Sequence, residues 1–150
     1  MSAQAAPATV FAQRATEISE FCLKNGGQCF ARWPVPTLFA YVFFHVVTRT
    51  VFCVREGGQI AGVLFAWGMP ASEIEQAGAE GKGTFAWRKS RDDSDAIFLA
   101  EFIGRRDLFP RLLQQAETRW PDWRRKRIFT FRTGRLVELP QTVIAKFLRA

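Results

Sequence analysis

Apolar residues recur at helical spacing across residues 9–24, where Val10, Phe11, Ile18, Phe21 and Cys22 share one side. Asn25-Gly26-Gly27 then supplies a helix stop. Prolines break the chain at Trp33-Pro34-Val35-Pro36, and residues 37–47 are apolar almost all round. That run predicts a short buried helix, although its β-branched tail leaves a strand reading open. Residues 51–54 and 59–67 flank Glu56-Gly57-Gly58 and predict a hairpin, with Gly62 marking a close approach in its second strand. Residues 69–83, with Pro70, three glycines and an acidic trio, predict a connection containing a helical turn or two. Residues 84–87 have strand composition, and 88–95 form a charged turn.

Residues 96–103 predict a strand ended by Gly104. Asp107 is placed to cap a helix over 108–119, with Pro110 in its first turn. Pro121-Asp122 closes that helix, 127–132 predicts a strand, Thr133-Gly134 a turn into 136–139, and Pro140 opens a last helix to residue 149. The strand–helix–strand unit implies a right-handed parallel crossover. The result is one α+β domain over residues 1–150, a central mixed sheet flanked by helices, with no repeat and no linker.

Composition agrees with a folded domain: 48% of the 150 residues are hydrophobic and 23% charged, which excludes disorder and coiled coil. No apolar run reaches the roughly 18 residues of a membrane span, and the first ten residues lack the pattern of a signal peptide. A cytoplasmic location is expected. Three cysteines and one histidine offer neither a disulfide framework nor a zinc ligand set, so no metal is expected.

The net charge of +7 is concentrated, with twelve Lys/Arg against five Asp/Glu in residues 101–150. Arg105, Arg106 and Arg111 form one group; Arg119, Arg124, Arg125, Lys126 and Arg127 form another. Such a concentration attracts an anionic partner: nucleic acid, a phosphorylated cofactor or an acidic protein. Glu101 is a carboxylate in an otherwise apolar strand, which makes it a candidate base or the partner of a nearby arginine. His45 reads as a packed core histidine. Cys29 reads as a small buried residue, although a thiolate there could carry an acyl group.

Phe30-Ala31-Arg32-Trp33-Pro34-Val35-Pro36-Thr37-Leu38-Phe39-Ala40 resembles the N-terminal signature of the toxin-activating lysine acyltransferases, which join Trp-Pro-Val closely to Leu-Phe-Ala; one residue is inserted here. Residues 60–67, 94–103, Trp120-Pro121-Asp122 and Arg132-Thr133-Gly134-Arg135 follow in the expected order, so the resemblance covers roughly residues 10–148. It implies a GNAT-like acyltransferase fold, in which a pantetheine thioester lies between two splayed parallel strands with its phosphates at the N-terminus of the intervening helix.

It also implies transfer of a fatty acyl group from acyl carrier protein, or from CoA, to a lysine of an acceptor protein, with no tightly bound cofactor and with room for a homodimer. The family's catalytic histidine slot is filled by Phe30, which cannot transfer a proton, and its aspartate slot by Glu101. Gly104-Arg105-Arg106 replaces the family's Pro-Phe-Gly turn. On this reading Glu101 is the surviving base. Arg105, Arg106, Arg111, Arg124, Arg125 and Arg127 dock the donor, and Phe30, Trp33 and Trp67 help to wall the acyl cleft. The alternatives are an inactive relative that binds an acylated or acidic partner, and a basic nucleic-acid-binding domain whose arginines contact phosphates.

Overall fold

The computed structural model describes residues 7–27, 29–80 and 89–149. Two helices come first, α1 (Pro7–Asn25) and α2 (Val35–Thr48), followed by β1 (Val51–Glu56), β2 (Gln59–Met69) and α3 (Ala71–Glu80). Next come β3 (Ala96–Gly104), α4 (Phe109–Arg119), β4 (Arg127–Arg132), β5 (Arg135–Leu139) and α5 (Gln141–Arg149), with short 3-10 turns at Arg106–Leu108 and Trp123–Arg125. The strand expected at 84–87 lies outside the described residues.

The five strands form one mixed sheet in chain order. All neighbours are antiparallel except β3 and β4, which run parallel with α4 as the connection. The fold class is therefore α+β, a mixed sheet between helical layers.

Alternation along the strands feeds two cores. One face carries Phe65, Trp67, Phe98 and Phe129 against α1, α2 and α3 through Ile18, Leu38, Val42 and Ile74. The other carries Leu64, Ile97, Leu99 and Ile128 against α4 and α5 through Leu112, Leu113 and Ile144, with Trp120 and Trp123 beside them. The apolar run of α2 is a helix, not a strand. Its Leu38, Tyr41, Val42, His45 and Val46 are buried, and Pro36 falls in the first turn, where no N–H is needed.

The connection at residues 69–83 contains more helix than its composition suggests. Its Gly78 lets α3 approach β5 closely: a Cβ there would lie 2.6 Å from Leu136 Cδ2, so any larger residue requires Leu136 to shift. At Gly62, in the middle of β2, the approaching groups are Leu108 and Leu112. The Asp107 carboxylate makes no cap to α4 and instead accepts from Arg105 Nε at 3.0 Å.

No helix among the described residues is long and apolar enough to cross a membrane. No group of three or more potential metal ligands occurs among them.

Candidate active site

The parallel pair positions the site. Ala96, Ile97, Phe98 and Leu99 pair with Arg127, Ile128, Phe129 and Thr130, and the pairing then ceases. Thr130 Oγ1 donates to the Leu99 carbonyl at 2.8 Å at the last rung. Beyond it β3 continues along β2 as far as Gly104 while β4 leaves toward β5. A cavity of about 310 Å³ occupies the gap. Its walls are largely apolar, including Leu64, Leu99, Phe102, Phe109, Phe131 and Leu139, and its polar groups come from Glu101, Thr130, Arg106 and Arg132.

Glu101 reaches this gap through a β-bulge. Phe65 opposes Glu101 and Ala66 opposes Leu99, so Ala100 is an extra residue on β3. Up to the bulge alternation is strict: Ile97 and Leu99 point to the α4 layer, Phe98 and Ala100 to the α1–α2 layer. The bulge turns Glu101 to the side of Ala100, where its Oε2 accepts a hydrogen bond from Cys29 Sγ at 3.3 Å. Its charge is felt by Tyr41, whose phenol is raised above its ordinary pKa first by burial and then by this carboxylate.

Cys29 is exposed, contrary to the small buried residue expected from sequence. The buried place next to it belongs to Phe30, whose ring packs on Trp33, Tyr41 and Phe65 with centroids 5.3, 5.9 and 6.2 Å away. The other two thiols differ from Cys29 in setting: burial pushes Cys22 up to about 12 and Cys53 up to about 11, so both remain protonated.

The expected site residues separate into three groups. Glu101 and Arg106 line the cavity. Phe30, Trp33 and Trp67 belong to the α1–α2 core and are not among the cavity walls; Trp67 is fully buried and stacks on His45 at 4.8 Å. His45 is itself buried, with Nδ1 2.7 Å from Thr50 Oγ1, as expected of a core histidine.

The arginines divide by whether they already hold carboxylates. Arg105 pairs with Glu56 at 2.9 Å as well as with Asp107, Arg127 with Glu138 at 2.6 Å and Glu75 at 2.9 Å, and Arg124 with Glu117 at 3.5 Å. Arg106, Arg111 and Arg125 form no ion pair among the described residues, and neither does Arg132, whose place on the cavity wall the sequence reading missed. The signal for Arg132 was its position at the open end of a strand beside a predicted parallel neighbour.

Lys126, grouped by sequence with the basic run, is buried. Its Nζ donates to the Asp92 carbonyl at 2.9 Å and to the Ser94 carbonyl, so it serves the turn at residues 89–95.

The cavity thus offers an apolar trough, a carboxylate on one wall and two arginines with no ion pair among the described residues. Chemically this suits an amphiphile with an anionic group whose reactive centre lies beside a base. No protein-family model matches the chain, and no curated protein matches it.

Proposed function

We propose that the protein is an acyltransferase that moves a fatty acyl group from acyl carrier protein, or from CoA, to the amine of a protein lysine. The observation that carries this reading is the separation of the parallel strands β3 and β4 after Leu99 and Thr130, with Glu101 facing the apolar gap that results. A GNAT-like fold uses such a gap for its thioester. The resemblance of residues 30–40 to the toxin-activating lysine acyltransferases supports the same choice of acyl donor and acceptor.

In the proposed reaction the acyl chain lies along Leu64, Leu99, Phe102 and Phe109, and Arg106 and Arg132 hold the donor's anionic part. Glu101 takes one proton from the lysine ammonium, and the free amine adds to the thioester carbonyl. The C–N bond forms as the C–S bond breaks. The second amine proton passes to the departing thiolate, releasing a thiol, and Glu101 returns its proton to solvent. Phe30 packs in the α1–α2 core and takes no part in proton transfer. Cys29, hydrogen-bonded to Glu101, orients the carboxylate.

The test is to mix the purified protein with long-chain acyl carrier protein, its unacylated form, CoA and a short duplex at two salt concentrations, with a lysine-containing peptide as acceptor, and to follow the acyl group by intact mass. Preferential binding of the acylated carrier with loss of its acyl group is expected. In Glu101→Gln the loss should slow by about a hundredfold or more. Full transfer by that variant removes Glu101 as the base. Binding of the acylated carrier without loss favours a non-catalytic binder, and duplex binding alone overturns the reading.

A further inference from the structure

A second cavity, of about 380 Å³, lies at the opposite end of α4, lined by Arg14 of α1, Arg49 at the end of α2, and Gln115, Thr118 and Arg119 of α4. Val46, Val51 and Phe52 complete its lining. Three arginines from three separate elements line it, and no acidic residue does so among the described residues.

Arg119 pairs with Asp92 at 2.5 Å and stacks over Trp120 at 5.2 Å. Arg14 and Arg49 form no ion pair among the described residues. Arg14 acts at longer range on Glu17, but that carboxylate is held by Arg55 at 2.6 Å, so positive charge predominates at the cavity.

Arg49 stands where an arginine is unfavourable. It caps α2 in the left-handed region, φ 61° and ψ 42°, with its N–H bonded to the His45 and Val46 carbonyls. Glycine is the usual residue at such a cap because it has no Cβ to clash. The backbone is held in place from the far side of the cavity as well, since Arg119 Nε donates to the Arg49 carbonyl at 3.3 Å. A strained cap that places a cation beside two others has a functional explanation and no packing one: Arg49 is exposed, and its side chain fills no part of either core.

We propose that this cavity binds a phosphomonoester dianion. Arg14 and Arg49, with no ion pair among the described residues, suit its charge, and the fork of each can present two N–H groups to adjacent phosphate oxygens. Arg119, fixed by Asp92 and Trp120, forms the rigid third side. Val46, Val51 and Phe52 give the organic part of the ester an apolar surface, so an aryl or alkyl phosphate binds better than the inorganic ion. The Gln115 amide is already committed, donating to the Cys53 carbonyl at 2.7 Å, and acts as a fixed wall.

The experiment is titration of the full chain with phenyl phosphate and with inorganic phosphate at constant ionic strength, read by calorimetry and by thermal unfolding. Phenyl phosphate should bind more tightly and raise the melting temperature progressively with concentration. Arg14→Gln should weaken binding tenfold or more. Arg49→Gly should abolish it while the unliganded protein melts at the same or a higher temperature, because the strained cap is relieved. That combination separates a binding arginine from a structural one.

Unchanged binding in both variants overturns the proposal, as does binding removed instead by Arg106→Gln, which would place the anion in the β3–β4 gap. An Arg49→Gly protein that melts lower and still binds overturns it too. Co-sedimentation with phosphatidic acid vesicles, lost in Arg49→Gly, would identify a lipid as the source of the phosphate. Binding of phenyl phosphate without vesicle association identifies a soluble ester.

Discussion

The two ends of the β3–β4 pair are built from the same two strands and differ in almost every other respect. At the paired end, polar groups of the turn before β3 and of the residues leading into β4 are closely bound. The Arg127 N–H donates to the Asp95 carbonyl at 2.9 Å, the Asp95 carboxylate accepts from the Ala71 N–H at 2.8 Å, and Lys126 is buried against the turn carbonyls. Asp92 accepts from Trp120 Nε1 and Ser90 Oγ, both at 2.8 Å, and from Arg119. At the open end Glu101, Arg106 and Arg132 border a cavity, with no ion pair among the described residues for either arginine. One end fixes the strands so that the other can stay apart, and the stability of the molecule should be sensitive at the first and tolerant at the second.

The largest expected effect is at Lys126. Lys126→Met removes a buried ammonium and leaves two turn carbonyls without their donor, a loss of about 3 kcal/mol. Denaturant unfolding would show it, and a loss below about 1 kcal/mol would mean that the paired end does not depend on this contact.

Asp92 comes next. Burial opposes its ionisation, but the hydrogen bonds from Arg119, Trp120 and Ser90 outweigh burial and hold its carboxyl below the usual aspartate range. A lowered folded-state pKa means that stability is fully present above the unfolded value, about 3.9, and is lost as the pH falls through the lower folded value. Asp92→Asn should cost about 1.5 kcal/mol at neutral pH and flatten the acid side of the stability profile. An unchanged profile would place the acid sensitivity elsewhere.

Thr130→Val removes the last rung and should cost about 1 kcal/mol by leaving the Leu99 carbonyl unsatisfied. No loss would show that the bulge, not the rung, decides where the strands part.

The smallest effects distinguish the two neighbouring arginines. Arg106→Gln should raise the KM for acyl donor about fivefold, equivalent to about 1 kcal/mol, without altering stability. Arg105→Gln should leave that KM alone and shift stability by no more than about 0.5 kcal/mol, since its ion pairs are exposed. Equal effects on donor KM would dissolve the distinction between paired and unpaired cations.

Much of this architecture was legible in the residues. The apolar runs of β2 and β3, the Gly-Gly turn at 57–58 and the helix stop at residues 25–27 placed those elements to within a residue or two, because each follows from local sequence chemistry. Most of the misreadings share one cause, which is closeness in space of residues remote in sequence. Gly78 read as a loop former because its neighbour Leu136 is 58 positions away. Lys126 read as surface charge because the carbonyls that hold it belong to residues 92 and 94. Cys29 read as a small buried residue, but its neighbour Phe30 takes the buried place. The side to which Glu101 points depends on a bulge that no periodicity reveals.

That extra residue at Ala100 makes one point of β3 unlike the rest in its response to a change of length. Losing Ala100 itself would remove the bulge and leave Glu101 opposite Phe65 and Phe102 opposite Leu64, each on its present side. Losing a residue beyond it has the opposite result: without Phe102, Ile103 would follow Glu101 directly and turn away from the α1–α2 core. Among descendants of this sequence a one-residue deletion should therefore be better tolerated at Ala100 than in the regular stretch from Glu101 to Gly104.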